Sequence, residues 1–201
     1  MKFVNRNEFN QADHQITPET CLDERKQSNM PPIILDLREE AEYQEKHLVG
    51  SYSMPASVLK DNLLRIPPYA RIILYGGRND EETTDSVKMM VENKFSNVAF
   101  VTGGVDSILE SLSASEDEVI LANVPKENWG EKIESTLDNK VRPALAADGG
   151  GLEVVKIEED KVYINYQGAC NGCASAATGT LNFIRNALST SLNHDIDVIM
   201  A

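Results

Sequence analysis

Gly168-Ala169-Cys170-Asn171-Gly172-Cys173 holds two of the chain's three cysteines, two residues apart. Before it, Val162, Ile164 and Tyr166 alternate with polar residues, which is the period of a strand. After it, Ala177, Leu181, Ile184 and Leu188 recur at the period of a helix. The cysteines therefore fall on the turn that leaves a strand and enters a helix. A two-residue gap lets both sulfurs face one ion, and glycines beside them let backbone N–H groups approach. The partial positive charge of the helix N-terminus favours thiolate over thiol. Two thiols are half of the four ligands that a zinc ion or a common iron–sulfur cluster takes from protein. No second Cys-x-x-Cys occurs in the chain. On the pattern alone, half a zinc site, half an iron–sulfur site and a redox dithiol all remain open.

Outward from this segment the chain divides in two. Residues 152–157 and 161–167 alternate and flank the charged turn Glu158-Glu159-Asp160, which predicts a hairpin. Ahead of it, Trp129, Ile133, Leu137 and Val141 form a helical stripe. Pro143 should kink that helix and Asp148-Gly149-Gly150-Gly151 should stop it. A helix over 175–190 and an end strand with Ile196, Val198 and Met200 complete an α-β-β-α-β unit. Residues 114–126 are Ser- and acid-rich at their start and close near Pro125, so they are expected to be a linker between residues 1–113 and 127–201.

Residues 1–16 are polar with little periodicity, and Thr17-Pro18-Glu19 then starts a helix expected to run to Pro31-Pro32. The runs 33–37, 71–75 and 98–101 have the continuous apolar character of buried parallel strands, with a short extended piece ending at Pro55. Helices are expected between them: a charged one over 38–46, one over 56–66 with the stripe Val58, Leu59, Leu63, Leu64 and Ile66, and one capped by Asn79. Another follows Gly103-Gly104. Such alternation with short connections argues for an α/β unit, a parallel sheet with helices on its faces.

The formal net charge is −13 over 201 residues, which disfavours contact with phosphate backbones, so no nucleic-acid partner is expected. No apolar run reaches the roughly 20 residues that span a bilayer, so no membrane is expected either. The start, Met-Lys-Phe-Val-Asn-Arg-Asn-Glu, has no apolar core of a secretory signal. Three cysteines make no disulfide framework, and a reducing cytoplasm is the expected location.

Three separated stretches resemble the NifU C-terminal domain, the Nfu-type iron–sulfur carrier. They are Val141-Arg142-Pro143-Ala144-Leu145, then Asp148-Gly149-Gly150, then the cysteine segment with Thr180-Leu181 beyond it. The likeness runs from about residue 127 to 201 and departs at Ala174, where that family often has proline. The resemblance implies that Cys170 and Cys173 are the metal and cluster ligands, and that the cargo is a four-iron, four-sulfur (4Fe-4S) cluster shared across a homodimer. It further implies a non-enzymatic scaffold that receives its cluster from upstream assembly proteins and delivers it to apo iron–sulfur proteins. Asp148 and its glycines are expected to be structural. The alternatives are a sulfurtransferase or thiol–disulfide oxidoreductase using the same thiols, and a zinc-bridged structural dimer.

The first unit resembles a rhodanese domain over about residues 15–113. The likeness is carried by Ile33 to Glu39 with its Asp-x-Arg-Glu, by His47-Leu48-Val49-Gly50-Ser51 with Pro55, and by Gly103-Gly104. Active members of that family place a cysteine directly after the strand that here is 71–75. The matching residue is Gly76, and no cysteine lies between Cys21 and Cys170. Without a thiolate nothing takes up sulfane sulfur. Asp80, Glu81 and Glu82 open the next helix where an anionic donor would need positive charge, and Arg78 alone does not offset them. No catalytic residue is assigned, and the unit is expected to be inactive. Cys21 is expected to be structural, His47 to hold a loop by hydrogen bonding, and Asp36 with Arg38 to form a structural pair or cap. His14 and His194 have no ligand cluster around them, and Trp129 belongs to a core or an interface.

Overall fold

The computed structural model describes residues 9–26, 31–168 and 174–201. The chain forms two compact units that divide after Ser115. In the first, the described strands make a five-stranded sheet ordered β1-β5-β4-β2-β3, with every neighbouring pair parallel. The strands are β1 (Gln15–Ile16), β2 (Ile33–Asp36), β3 (Tyr52–Ser53), β4 (Ile72–Tyr75) and β5 (Val98–Val101). The helices between them are α1 (Gln11–His14), α2 (Pro18–Arg25), α3 (Glu40–Glu45), α4 (Ala56–Asn62), α5 (Asp80–Glu92) and α6 (Gly104–Ala114). All four residues of β4 and of β5 are buried, as central strands covered on both faces must be. Leu59, Val87, Met90 and Phe100 fill one of the layers against that sheet.

Local chemistry sets the helix starts. Thr17 Oγ1 accepts the Thr20 N–H and Asn79 Oδ1 accepts the Glu81 N–H, each satisfying a donor the helix leaves unpaired. The helix begun at Thr17 ends at Arg25 rather than at Pro31-Pro32. Lys26 caps it there, its N–H donating to the Asp23 carbonyl at 3.2 Å. The polar N-terminal stretch also forms more than expected. α1 is capped by Asn10, and β1 adds to the sheet edge beside β5. His14 Nδ1 lies 2.8 Å from the Val98 carbonyl and fastens this piece.

One apolar stripe is corrected. Leu59 and Ile66 are buried, but Val58 and Leu64 face solvent. After Asn62 the backbone tightens into a 3-10 turn over Leu63–Arg65, which breaks the 3.6-residue period that would have turned Leu64 inward.

The second unit packs two helical segments on one face of a three-stranded sheet ordered β6-β7-β8. α7 (Trp129–Thr136) and α8 (Arg142–Ala147) are joined by a wide π-turn over Leu137–Val141. That turn is the expected distortion at Pro143: with no N–H to offer, proline sits in the first turn of α8 instead of interrupting a regular ladder. Trp129, Ile133, Leu137 and Val141 are all buried, as their spacing predicts. β6 (Gly150–Glu158) and β7 (Lys161–Gly168) form the expected hairpin, with Glu159 at φ 53° in its turn. α9 (Ala174–Leu192) then returns the chain to β8 (Asp197–Met200), which runs parallel to β7.

The core of this unit joins Val162, Ile164 and Tyr166 of β7 to Ile184, Leu188 and Leu192 of α9. It also includes Leu121, from the stretch expected to be linker, which is fully buried. Nearby, the Asn193 amide donates to Glu118 and to the Val119 carbonyl, both at 2.9 Å. Residues 116–126 thus pack as part of the second unit.

Leu121→Ala should therefore destabilise the second unit by about 2–4 kcal/mol, the cost of a cavity in a well-packed core. Leu64→Ala should stay within about 0.5 kcal/mol. Urea unfolding followed by the fluorescence of Trp129 reads the first directly, and an unchanged midpoint in Leu121→Ala would show that this stretch is not core.

Candidate functional site

Cys170 and Cys173, the expected ligands, lie outside the described residues. The structure describes the frame on either side of them. β7 ends at Gly168 and α9 begins at Ala174, so five residues connect strand to helix, as the two hydrophobic periods require. Gly168 has φ 67°, and a β-carbon on it would lie 2.6 Å from the Gly149 carbonyl oxygen. Only glycine fits a left-handed backbone pressed this closely against another chain segment. Gly149, at φ 73°, is itself the left-handed stop of α8. Its N–H donates to the Ala146 carbonyl at 3.0 Å, and the Asp148 N–H to the Leu145 carbonyl at 3.1 Å.

Asp148-Gly149-Gly150 is therefore a helix stop, as the sequence suggests. What the sequence leaves unseen is that this stop sits beside the entrance to the cysteine segment. The hairpin register explains why. It starts with Glu158 opposite Lys161, and a plain count would put Gly151 opposite Gly168. A bulge between Val154 and Lys156 inserts one residue, so Leu152 joins Tyr166 on the buried face and Gly150 meets Gly168. Val155, the extra residue, is exposed. The available signal was Val154-Val155, two adjacent apolar residues in an otherwise alternating strand.

In the first unit, Gly76 follows β4 at the place where the rhodanese resemblance puts a catalytic cysteine. A β-carbon there would lie 2.6 Å from Oγ1 of the buried Thr83. The Gly76 carbonyl accepts the Val105 N–H at 3.0 Å, and the Gly76 and Gly77 carbonyls press on the α-carbon of Gly104 so closely that no side chain fits. Asp80 is not merely one of three acids at a helix start. Its carboxylate accepts the Gly103 N–H at 3.1 and 3.3 Å, taking up a donor that an anion would otherwise use. Arg78 is also engaged, since its Nε lies 2.9 Å from Asp106 Oδ2 while Lys46 Nζ reaches Oδ1 at 2.5 Å. The loop is thus filled by its own side chains and carbonyls.

The remaining candidates fall where expected. Asp36 Oδ1 accepts from the Arg38 backbone N–H at 3.0 Å and from its Nε at 2.9 Å, and both side chains are buried. Arg38 also donates to the Lys46 carbonyl at 2.7 Å, so the pair ties the start of α3 to its end. His47 Nδ1 lies 2.9 Å from the Tyr43 carbonyl and its ring stacks on that of Tyr43. Cys21 is fully buried, and desolvation pushes its thiol up to about 12. Among the described residues no three His, Cys, Asp or Glu side chains gather as a metal site. No described helix is long and apolar enough to cross a membrane.

Two outcomes follow from this geometry. Hydrogen bonds from Lys46 and then Arg78 lower the Asp106 carboxyl to about 2. A depressed acid stabilises the fold above its unfolded value of about 3.9 and loses that contribution as pH falls through about 2. Carbon NMR of the Asp106 carboxyl should show this midpoint, and Lys46→Ala should raise it; a midpoint near 4 in the intact chain would refute the bridge. Gly76→Cys alone should cost about 1–3 kcal/mol by crowding Thr83 and should show no thiosulfate turnover. Adding Thr83→Ala should restore the stability, and turnover in the single variant would show that the loop is open.

Family models match both units. A NifU-like domain covers residues 133–199, and a rhodanese-like domain covers residues 17–111. A nitrogen fixation protein NifU from Anabaena sp. strain L31 is 36% identical over 98 residues, 48% of this chain and 83% of that protein. A nitrogen fixation protein NifU from Nostoc sp. is 35% identical over 115 residues, 57% of this chain and 36% of that protein. The chain thus spans about a third of the length of that relative. An Fe/S biogenesis protein NfuA from Buchnera aphidicola is 30% identical over 77 residues, 34% of this chain and 40% of that protein. Among solved structures, a rhodanese-like domain from Anabaena sp. aligns with TM-score 0.45 at 23% identity, covering 49% of this chain and 74% of that one. The chain belongs to the NifU-like family, and its NifU-like domain follows a rhodanese-like domain.

Proposed function

We propose that this chain is an iron–sulfur cluster carrier that holds its cargo through Cys170 and Cys173. The observation that carries the proposal is the NifU-like match over 133–199, which spans both thiols. The name of the Buchnera relative, an Fe/S biogenesis protein, supports the same chemistry.

The donor set suits a cluster and limits how one chain can hold it. Thiolates are the protein ligands of iron–sulfur clusters, and four are usual. The 201 residues contain three cysteines. One of these, Cys21, is buried in the other unit and kept as a neutral thiol. Each copy therefore offers two thiols, and a second copy related by a two-fold axis supplies the other pair. The cargo is a four-iron, four-sulfur cluster. An incoming thiolate replaces Cys170 and Cys173 one at a time, which is how a cluster passes to an apo-protein. Upstream assembly proteins load the carrier in a reducing cytoplasm. The rhodanese-like unit takes no part in chemistry, because Gly76 provides no nucleophile and Asp80 and Thr83 fill its loop.

Anaerobic reconstitution with iron and sulfide tests the proposal. The intact chain should turn brown, with a broad visible charge-transfer band, and Cys170→Ser or Cys173→Ser should abolish the band. Turnover of thiosulfate or of a disulfide by metal-free protein would instead support an enzyme. A colourless protein that keeps zinc on dilution would support a structural site. Either result contradicts the carrier.

A further inference from the structure

Resting on the carrier reading, we infer that the backbone contact between Gly149 and Gly168 is a positioning element for the cluster-binding thiols. Its parts come from two distant stretches. α8 ends on Gly149, whose left-handed conformation (φ 73°) and N–H bond to the Ala146 carbonyl aim its own carbonyl. That carbonyl rests against the α-carbon of Gly168, where a β-carbon would come within 2.6 Å. Gly168 is left-handed as well, at φ 67°, and is the last residue of β7 to pair, opposite Gly150. The residue after it begins the segment that carries Cys170 and Cys173.

The backbone of Gly168, the last described residue before the cysteine segment, is therefore held by a helix stop as well as by the strand. A side chain at Gly168 has to push the Gly149 carbonyl away or redirect the backbone, and either change moves the start of the cysteine segment. The neighbouring glycines differ. A β-carbon at Gly151 would make ordinary contact with Gln167 at 3.6 Å, and one at Gly149 would meet nothing within 4 Å, although its positive φ strains any side chain. This separates the steric contact from the general presence of glycine. Gly168 and Gly149 act as positioning residues, through backbone and not as ligands.

The test uses the full chain reconstituted with iron and sulfide. It compares the intact protein with Gly168→Ala, Gly149→Ala and Gly151→Ala. Two measurements are made: visible circular dichroism of the bound cluster, and the rate at which an iron chelator removes it. Gly168→Ala should lose iron about tenfold faster, the scale seen when groups that orient metal ligands are removed, with an altered visible dichroism and an unchanged far-ultraviolet spectrum. Gly149→Ala, which tips the carbonyl by strain without a clash, should show a smaller change in the same direction, and Gly151→Ala should match the intact chain. If Gly168→Ala does not fold, Gly149→Ala decides: intact-chain dichroism and rate in that variant overturn the inference. An intact chain that takes up iron and sulfide while Gly168→Ala and Gly149→Ala behave identically to it overturns the inference alone. An intact chain that takes up no iron and sulfide overturns the carrier reading and the inference with it.

Discussion

Burial of one face of β7 against α9 is the constraint on which the second unit depends. Val162, Ile164 and Tyr166 point to the same side and meet Ile184, Leu188 and Leu192 across the core. Side chains of this size, fully buried, contribute about 1.5–3 kcal/mol each, so register and rotation are both strongly specified. The packing also explains the bulge at Val155. Without it, Val155 would face Ile164, and Leu152 would point away from the core. One inserted residue keeps the apolar face continuous, and as a by-product brings the glycines after α8 against Gly168.

The first unit combines a tightly held sheet with a loop after β4 that is closed by its own groups. β4 and β5 are buried throughout, and the turn around Ser51 is hydrogen-bonded to β4. Tyr75 is buried between the Leu48 N–H, 3.2 Å from its hydroxyl, and Ser51 Oγ at 2.8 Å. Arg71 clasps Glu24 through two bonds of 2.7 and 2.8 Å, tying β4 to α2. The loop after β4, by contrast, is turned inward: Thr83 fills the space beside Gly76, and Asp80 answers the Gly103 N–H. The acidity around them, which sequence reading treats as repulsion, is in part structural capping.

Much of this was legible in the sequence because the signals were local. Thr17 and Asn79 cap the helices they announce. The 3.6-residue stripe from Trp129 to Val141 is buried throughout, and the continuous apolar runs at 72–75 and 98–101 are central strands. Errors arose where tertiary context overrode pattern. Leu64 belongs to a helical stripe on paper, but a 3-10 turn rotates it into water. Ser- and acid-rich composition near residue 116 suggests a linker, yet Leu121 a few residues on is core. β1 is too short for any periodicity and exists only because β5 offers an edge. The site divides in the same way. The Cys-x-x-Cys spacing and the glycine at position 76 are read directly from the sequence, whereas the approach of Gly149 to Gly168 depends on a register that a single bulge resets.

The central claim is that one chain brings half a coordination sphere and two copies close it. Native mass spectrometry of the reconstituted, full-length chain tests this most directly, because it weighs protein and cargo together. The account predicts a species of two chains with four iron and four sulfide, which reverts to single chains when the iron is removed. A single chain carrying a complete cluster, or a dimer that persists with zinc and holds no sulfide, would contradict it.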